Sequence, residues 1–143
     1  MIASVRHAVR IARPADEVWA LVGDGARVHE WFPGIVGCEV EGDRRTIHTA
    51  TGLPIPEEIT VDDPILRRFQ YRIDAPIVAF HRSTIDVLPL GDDECLVQYA
   101  VEADPRTMAL VIGGGARGAL EDVKRRLEAA PEGGPAAQEG EGA

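Results

Sequence analysis

The chain has 143 residues, an apolar share of 45% and a formal charge of −9. That is enough for one domain with a core of its own, and the acidic balance argues against nucleic acid or an anionic membrane surface as partner. No apolar run approaches the ~20 residues of a membrane span, and the first residues carry no apolar signal region, so a cytoplasmic protein without membrane insertion is expected.

Residues 2–12 alternate, with Val5, His7, Val9 and Ile11 on one face, which predicts a half-buried strand. Pro14 ends it, and Asp16 caps or opens a short helix with Val18, Leu21 and Val22 as its buried stripe. Gly23-Asp24-Gly25 stops that helix, and Ala26 to Phe32 forms a second one, closing on Trp31-Phe32-Pro33-Gly34. Strands are then expected over Ile35 to Glu41 and Arg44 to Ala50, joined at Gly42-Asp43. The two prolines in Thr51-Gly52-Leu53-Pro54-Ile55-Pro56 predict a loop. Glu57 to Val61 and Ile65 to Ile73 form the next hairpin around Asp62-Asp63-Pro64. Ala79 to Leu88 and Glu94 to Ala103 complete the strands, turning at Gly91-Asp92-Asp93.

The last helix, Arg106 to Ala129, repeats apolar residues at Ala109, Ile112, Ala116, Leu120, Val123 and Leu127. Asp104-Pro105 is expected to cap its start, and Lys124, Arg125 and Arg126 suit the dipole at its end. Gly113-Gly114-Gly115 either breaks the helix or removes side chains to leave room. Residues 131–143 are Gly, Ala, Glu and Pro in composition and are expected to be a disordered acidic tail beyond a single domain over 1–130. Glu132, Glu139 and Glu141 in it supply three of the nine net charges.

The fold class that follows is α+β: a seven-stranded antiparallel curved sheet wrapped around a long C-terminal helix, with two short helices between strands one and two. Such a sheet leaves a cavity against the helix. Cys38 and Cys95 have no ligand spacing and read as two reduced thiols, and the four histidines show no HxH or HExxH pattern, so neither a metal nor a cofactor is expected.

The order of elements, Trp31-Phe32-Pro33-Gly34, the strand ending Asp74-Ala75-Pro76 and the closing helix resemble the START-like, or SRPBCC (Bet v 1-like), superfamily. The similarity is to its bacterial polyketide cyclase/dehydrase-like group and implies a helix-grip fold. Thr51-Gly52-Leu53-Pro54 is similar to the gate loop of plant abscisic-acid receptors, with Glu57 and His81-Arg82-Ser83 near their ligand-facing positions. Their latch has no counterpart near Ala75-Pro76-Ile77-Val78, and no basic residue over Cys38 to Val40 matches their pocket lysine. The resemblance implies a gated pocket, not a hormone receptor.

Two functions are compatible with these residues. The first is binding of a small hydrophobic molecule, lipid, polyketide or terpenoid-like, against Leu53, Pro54, Ile55, Phe69, Tyr71, Ser83, Val97, Tyr99, Ile112 and Ala116. Leu53, Pro54 and Ile55 read as a lid, since an apolar loop costs solvation unless it closes over something. The second is a cyclase, aromatase or dehydratase with Glu57 and His81 as acid–base pair. Against that stands a purely structural pairing of Glu57 with Arg45 or Arg67, and a structural role for His7 and His81. Trp19, Trp31 and Phe32 serve as core or as ligand wall. A homodimer through the gate end or the last helix is left open.

Overall fold

In a computed structural model, which describes residues 1–131, strand β1 (Ala3–Ile11) is followed by helix α1 (Ala15–Val22) and a 3-10 helix, Gly25–Glu30. Strands β2 (Ile35–Glu41), β3 (Arg44–Thr49), β4 (Pro54–Asp63), β5 (Arg68–Ile73), β6 (Phe80–Pro89) and β7 (Cys95–Asp104) come next, and helix α2 (Arg106–Ala129) last. The sheet runs β1-β7-β6-β5-β4-β3-β2, and every neighbouring pair is antiparallel. This is the helix-grip arrangement. The expected tail lies outside the described residues apart from Pro131. No helix among the described residues is long and apolar enough to cross a membrane.

Alternation decides which face is buried. Val97, Tyr99 and Val101 on β7 and Ser83, Ile85 and Val87 on β6 point inward and are sealed from solvent, while their neighbours stay partly exposed. On the outer face, ion pairs such as Arg68–Asp86 and Arg82–Glu102 bridge adjacent strands. Inside, Ile11, Val18, Val22, Leu120 and Leu127 close the core between β1, α1 and α2.

Helix α2 is held more firmly at its C-terminal half. Lys124 donates to the Arg10 carbonyl (2.7 Å), Arg126 to the Glu30 carbonyl (2.7 Å), and Arg13 to the carbonyls of Leu127 and Ala130. Two of the basic residues expected to serve the helix dipole thus bind backbone carbonyls of other elements. Its N-terminal half carries Leu110 and Val111, both about two-thirds exposed.

The triple glycine does not break the helix. A Cβ on Gly113 would lie 2.4 Å from Val5 Cγ2, and one on Gly115 would lie 3.1 Å from the Phe32 ring. Missing side chains let β1 and Phe32 approach. At Gly114 a Cβ would meet nothing. Gly113→Ala is therefore expected to destabilise by about 1–3 kcal/mol through overpacking against stiff, β-branched Val5. Gly114→Ala should stabilise by up to about 1 kcal/mol from helix propensity alone. Urea midpoints of the two variants check the contrast.

Three expectations need correction. Pro54, Ile55 and Pro56 are not loop but the start of β4, paired with His48, Ile47 and Thr46. Ile59 N–H points to the residue before β3 (Asp43 O, 2.7 Å) and Pro56 O to the residue after β5 (Asp74 N, 2.9 Å), so both proline nitrogens face the β5 side. The β4–β5 ladder begins only at Glu57, and the missing donors cost almost no pairing there. Ile65 and Leu66 are not in a strand. They sit exposed in a turn where the Asp63 carboxylate accepts both their N–H groups, 3.0 Å each. Asp104 ends β7 and makes no side-chain cap on α2.

Candidate ligand-binding site

A cavity of about 220 Å³ lies between the β3–β5 part of the sheet and the N-terminal half of α2. Val28, Phe32 and Ile35 wall it on one side, Ile47, Ile55 and Ile73 line the sheet, and Ile112 and Gly115 come from the helix. It reaches the surface between exposed Pro33-Gly34 and Val111. Gly115 widens it by lacking a side chain opposite Phe32.

A buried ion pair interrupts this wall, beside Thr49 and Tyr71. Arg45, Glu57 and Ile73 are cross-strand neighbours on β3, β4 and β5. Arg45 and Glu57 are only 3% and 2% exposed. Arg45 Nε donates to Glu57 Oε1 (2.7 Å), Nη2 lies 2.7 Å from the same oxygen in the ion pair, and Nη1 donates to the Gly25 carbonyl (3.1 Å). The guanidinium lies over Tyr71 and Phe69, 4.6 and 5.2 Å from the ring centroids. Burial pushes the Glu57 carboxyl up, against the pull of Arg45. Burial also acts downward on Arg45, but the attraction of Glu57 outweighs it and the guanidinium stays charged.

A second buried chain runs beside the first. The β5–β6 ladder ends at Tyr71–Ser83, and the next backbone donor, Ile73 N–H, bonds His81 Nδ1 instead (2.8 Å). Because Nδ1 accepts, Nε2 carries the proton and donates to Ser83 Oγ (2.8 Å). The hydroxyls of Tyr71 and Tyr99 bond each other, and burial raises the pKa of both. Burial lowers that of His81 to about 4.

Of the residues singled out from sequence, Ile55, Glu57, Tyr71 and Ile112 line the cavity. Phe69, Ser83, Val97, Tyr99 and Ala116 are buried around it without lining it. Pro54 lies exposed on β4, and Leu53 is 54% exposed in a turn whose Ala50 N–H bonds Gly34 O at the mouth (2.8 Å). Glu57 and His81 are not brought onto one void. His81 lines a separate outer cleft of about 360 Å³ formed with the 74–79 segment. Trp31 joins the core and Phe32 the wall, while half-buried Trp19 packs over Gly23. His7 is half-buried on β1. Both cysteines are free, and no three His, Cys, Asp or Glu side chains among the described residues are placed to hold a metal ion.

Arg45 is the residue whose weight sequence reasoning missed. By sequence it reads only as one of two partners for Glu57. Arg45, Ile47 and Thr49 alternate like a buried strand face, and an arginine opening that face was the available signal.

Solved structures share this architecture. The Bacillus cereus protein XoxI is 22% identical, with a TM-score of 0.80 over 86% of this chain and 94% of its own. A Thermobifida fusca protein solved by NMR is 29% identical, with a TM-score of 0.71 over 87% of this chain and 95% of its own. The di-domain ARO/CYC protein BexL, from the BE-7585A biosynthetic pathway, is 23% identical, with a TM-score of 0.75 over 88% of this chain and 46% of its own. No curated protein matches the sequence. The likeness to XoxI and BexL is one of fold. The family model for polyketide cyclase / dehydrase and lipid transport matches residues 3–130, and the chain belongs to that family.

Proposed function

We propose that this protein binds a small hydrophobic molecule, of lipid, polyketide or terpenoid-like character, in the cavity between the sheet and α2, acting in the cytoplasm. The observation that carries the reading is an apolar-walled cavity with a single buried ion pair on its floor. Apolar walls supply the affinity and the buried ion pair orients the guest. Family membership supports the same reading. Leu53, exposed on the turn bonded to Gly34, would cover the mouth as a lid.

Mass spectrometry of the organic extract of gently purified protein tests this, with Ile112→Trp as the filled-cavity control. The expected result is a compound near one per chain, depleted at least about tenfold in the variant. A compound retained equally by Ile112→Trp would place the binding elsewhere.

An acid–base cyclase or dehydratase is the second reading, favoured by Glu57 opening on the cavity and by the family's cyclases and dehydrases. Glu57 would take a proton from the substrate carbon and hand it to the departing hydroxyl, which leaves as water, while His81, on a separate cleft, would position Ser83 behind the cavity wall. Turnover of an identified substrate by Glu57→Gln or His81→Ala at the wild-type rate would remove it.

A further inference from the structure

An arginine in an apolar cavity suggests at first a receptor for a ligand carboxylate. The bonding around Arg45 contradicts this. Nε donates to Glu57 Oε1, Nη2 lies 2.7 Å from the same oxygen and Nη1 donates to the Gly25 carbonyl, so the charge of Arg45 is matched by Glu57 and each nitrogen already faces an acceptor. The unspent atom is on the acid. Glu57 Oε2 accepts no bond from the described residues. Nor is it sealed, since the sealed side-chain atoms without partners among those residues are Glu17 Oε1, Trp31 Nε1 and Arg126 Nε. On a side chain this deeply buried, an accessible Oε2 opens on the void that Glu57 lines.

Size sets the second limit. A cavity of about 150 Å³ accepts benzene, and drug-sized ligands occupy about 300 Å³ or more. At about 220 Å³ this cavity falls between them. That is room to enclose one or two fused rings, and not a whole phospholipid or multi-ring product.

Resting on the binding reading above, we infer that the ligand is a neutral one- or two-ring molecule bearing a hydroxyl or N–H group that donates to Glu57 Oε2. A carboxylate on the same ring system is rejected. It would set an anion against the open oxygen of Glu57, with the Arg45 charge already balanced by that same carboxylate. A buried acceptor left unpaired penalises a ligand without the donor, which is how such a site discriminates.

Calorimetric titration at neutral pH with 2-naphthol, 2-methylnaphthalene and 2-naphthoate tests this on one ring system. The expected order is naphthol tightest, by about tenfold or more over methylnaphthalene, in line with a hydrogen bond to a charged group. Naphthoate is expected weakest. In Arg45→Met/Glu57→Leu, which leaves no buried charge unpaired, the advantage of naphthol over methylnaphthalene should fall to near unity. Equal binding of naphthol and methylnaphthalene by the native protein, or tightest binding of naphthoate, overturns the inference while the cavity reading stands. Retention of naphthol's advantage in the double variant also overturns it. Failure of all three to bind overturns the cavity reading itself.

Discussion

Replacing Arg45 alone with methionine is expected to cost about 3–5 kcal/mol of folding stability, because it strands the buried Glu57 carboxylate without its partner. Glu57→Leu alone should cost a similar amount by stranding the guanidinium between Tyr71 and Phe69. Arg45→Met/Glu57→Leu should cost far less than either, since desolvating two charges consumes most of what their attraction returns. The double-mutant cycle, read from urea unfolding, should show a coupling of several kcal/mol. Additive losses would mean that the pair is solvated rather than buried. The cycle also separates stability from function. If a buried pair contributes little net stability and yet is kept in an apolar cavity, its use lies in recognition.

The second large effect is on acid stability and belongs to His81. Its folded pKa is lowered by burial from the ordinary 6.5 to about 4. The unfolded chain therefore takes up the proton first as pH falls. The stability contributed by neutral His81 is whole above about pH 6.5, drains away toward pH 4, and is lost below that. The separation corresponds to roughly 3 kcal/mol. Protonation would also put a proton on Nδ1 and break the bond from Ile73 N–H. In His81→Gln, the acid limb between pH 6.5 and 4 should flatten, leaving the slope of the carboxylates. An unchanged limb would mean that another group titrates there.

How much of this was legible in the sequence depends on whether the determinant is local. Strand β2 ends at the Gly42-Asp43 turn as expected, because glycine at positive φ and a short polar pair punctuate the chain without help from elsewhere. The alternation in β6 and β7 reads directly as an inner and an outer face. Pro54 and Pro56 misled, because a proline excludes a strand only where its missing N–H would face a partner, and β4 runs past the end of β5. The triple glycine left two readings open. Only the close approach of Val5 and Phe32, distant in sequence, decides between them.

The candidate site was legible as a set of inward positions and not as a constellation. Glu57, Tyr71 and Ile112 follow from periodicity alone. That Glu57 meets Arg45 rather than Arg67 depends on the β3–β4 register, while Arg67 bonds Asp16 on the surface. That His81 faces a different void depends on the β5–β6 ladder stopping at Tyr71–Ser83. Registers and ladder ends are properties of paired strands, so they are not written in either strand by itself.

Methyl NMR tests the central claim most directly, with 2-methylnaphthalene added to protein labelled at its isoleucine methyl groups. Saturable shifts are expected at Ile47, Ile55 and Ile112, which line the cavity, with little change at Ile11 and Ile85, which are sealed in the core away from it. Shifts confined to exposed Ile65 or Ile77, with the cavity isoleucines unmoved, would contradict it.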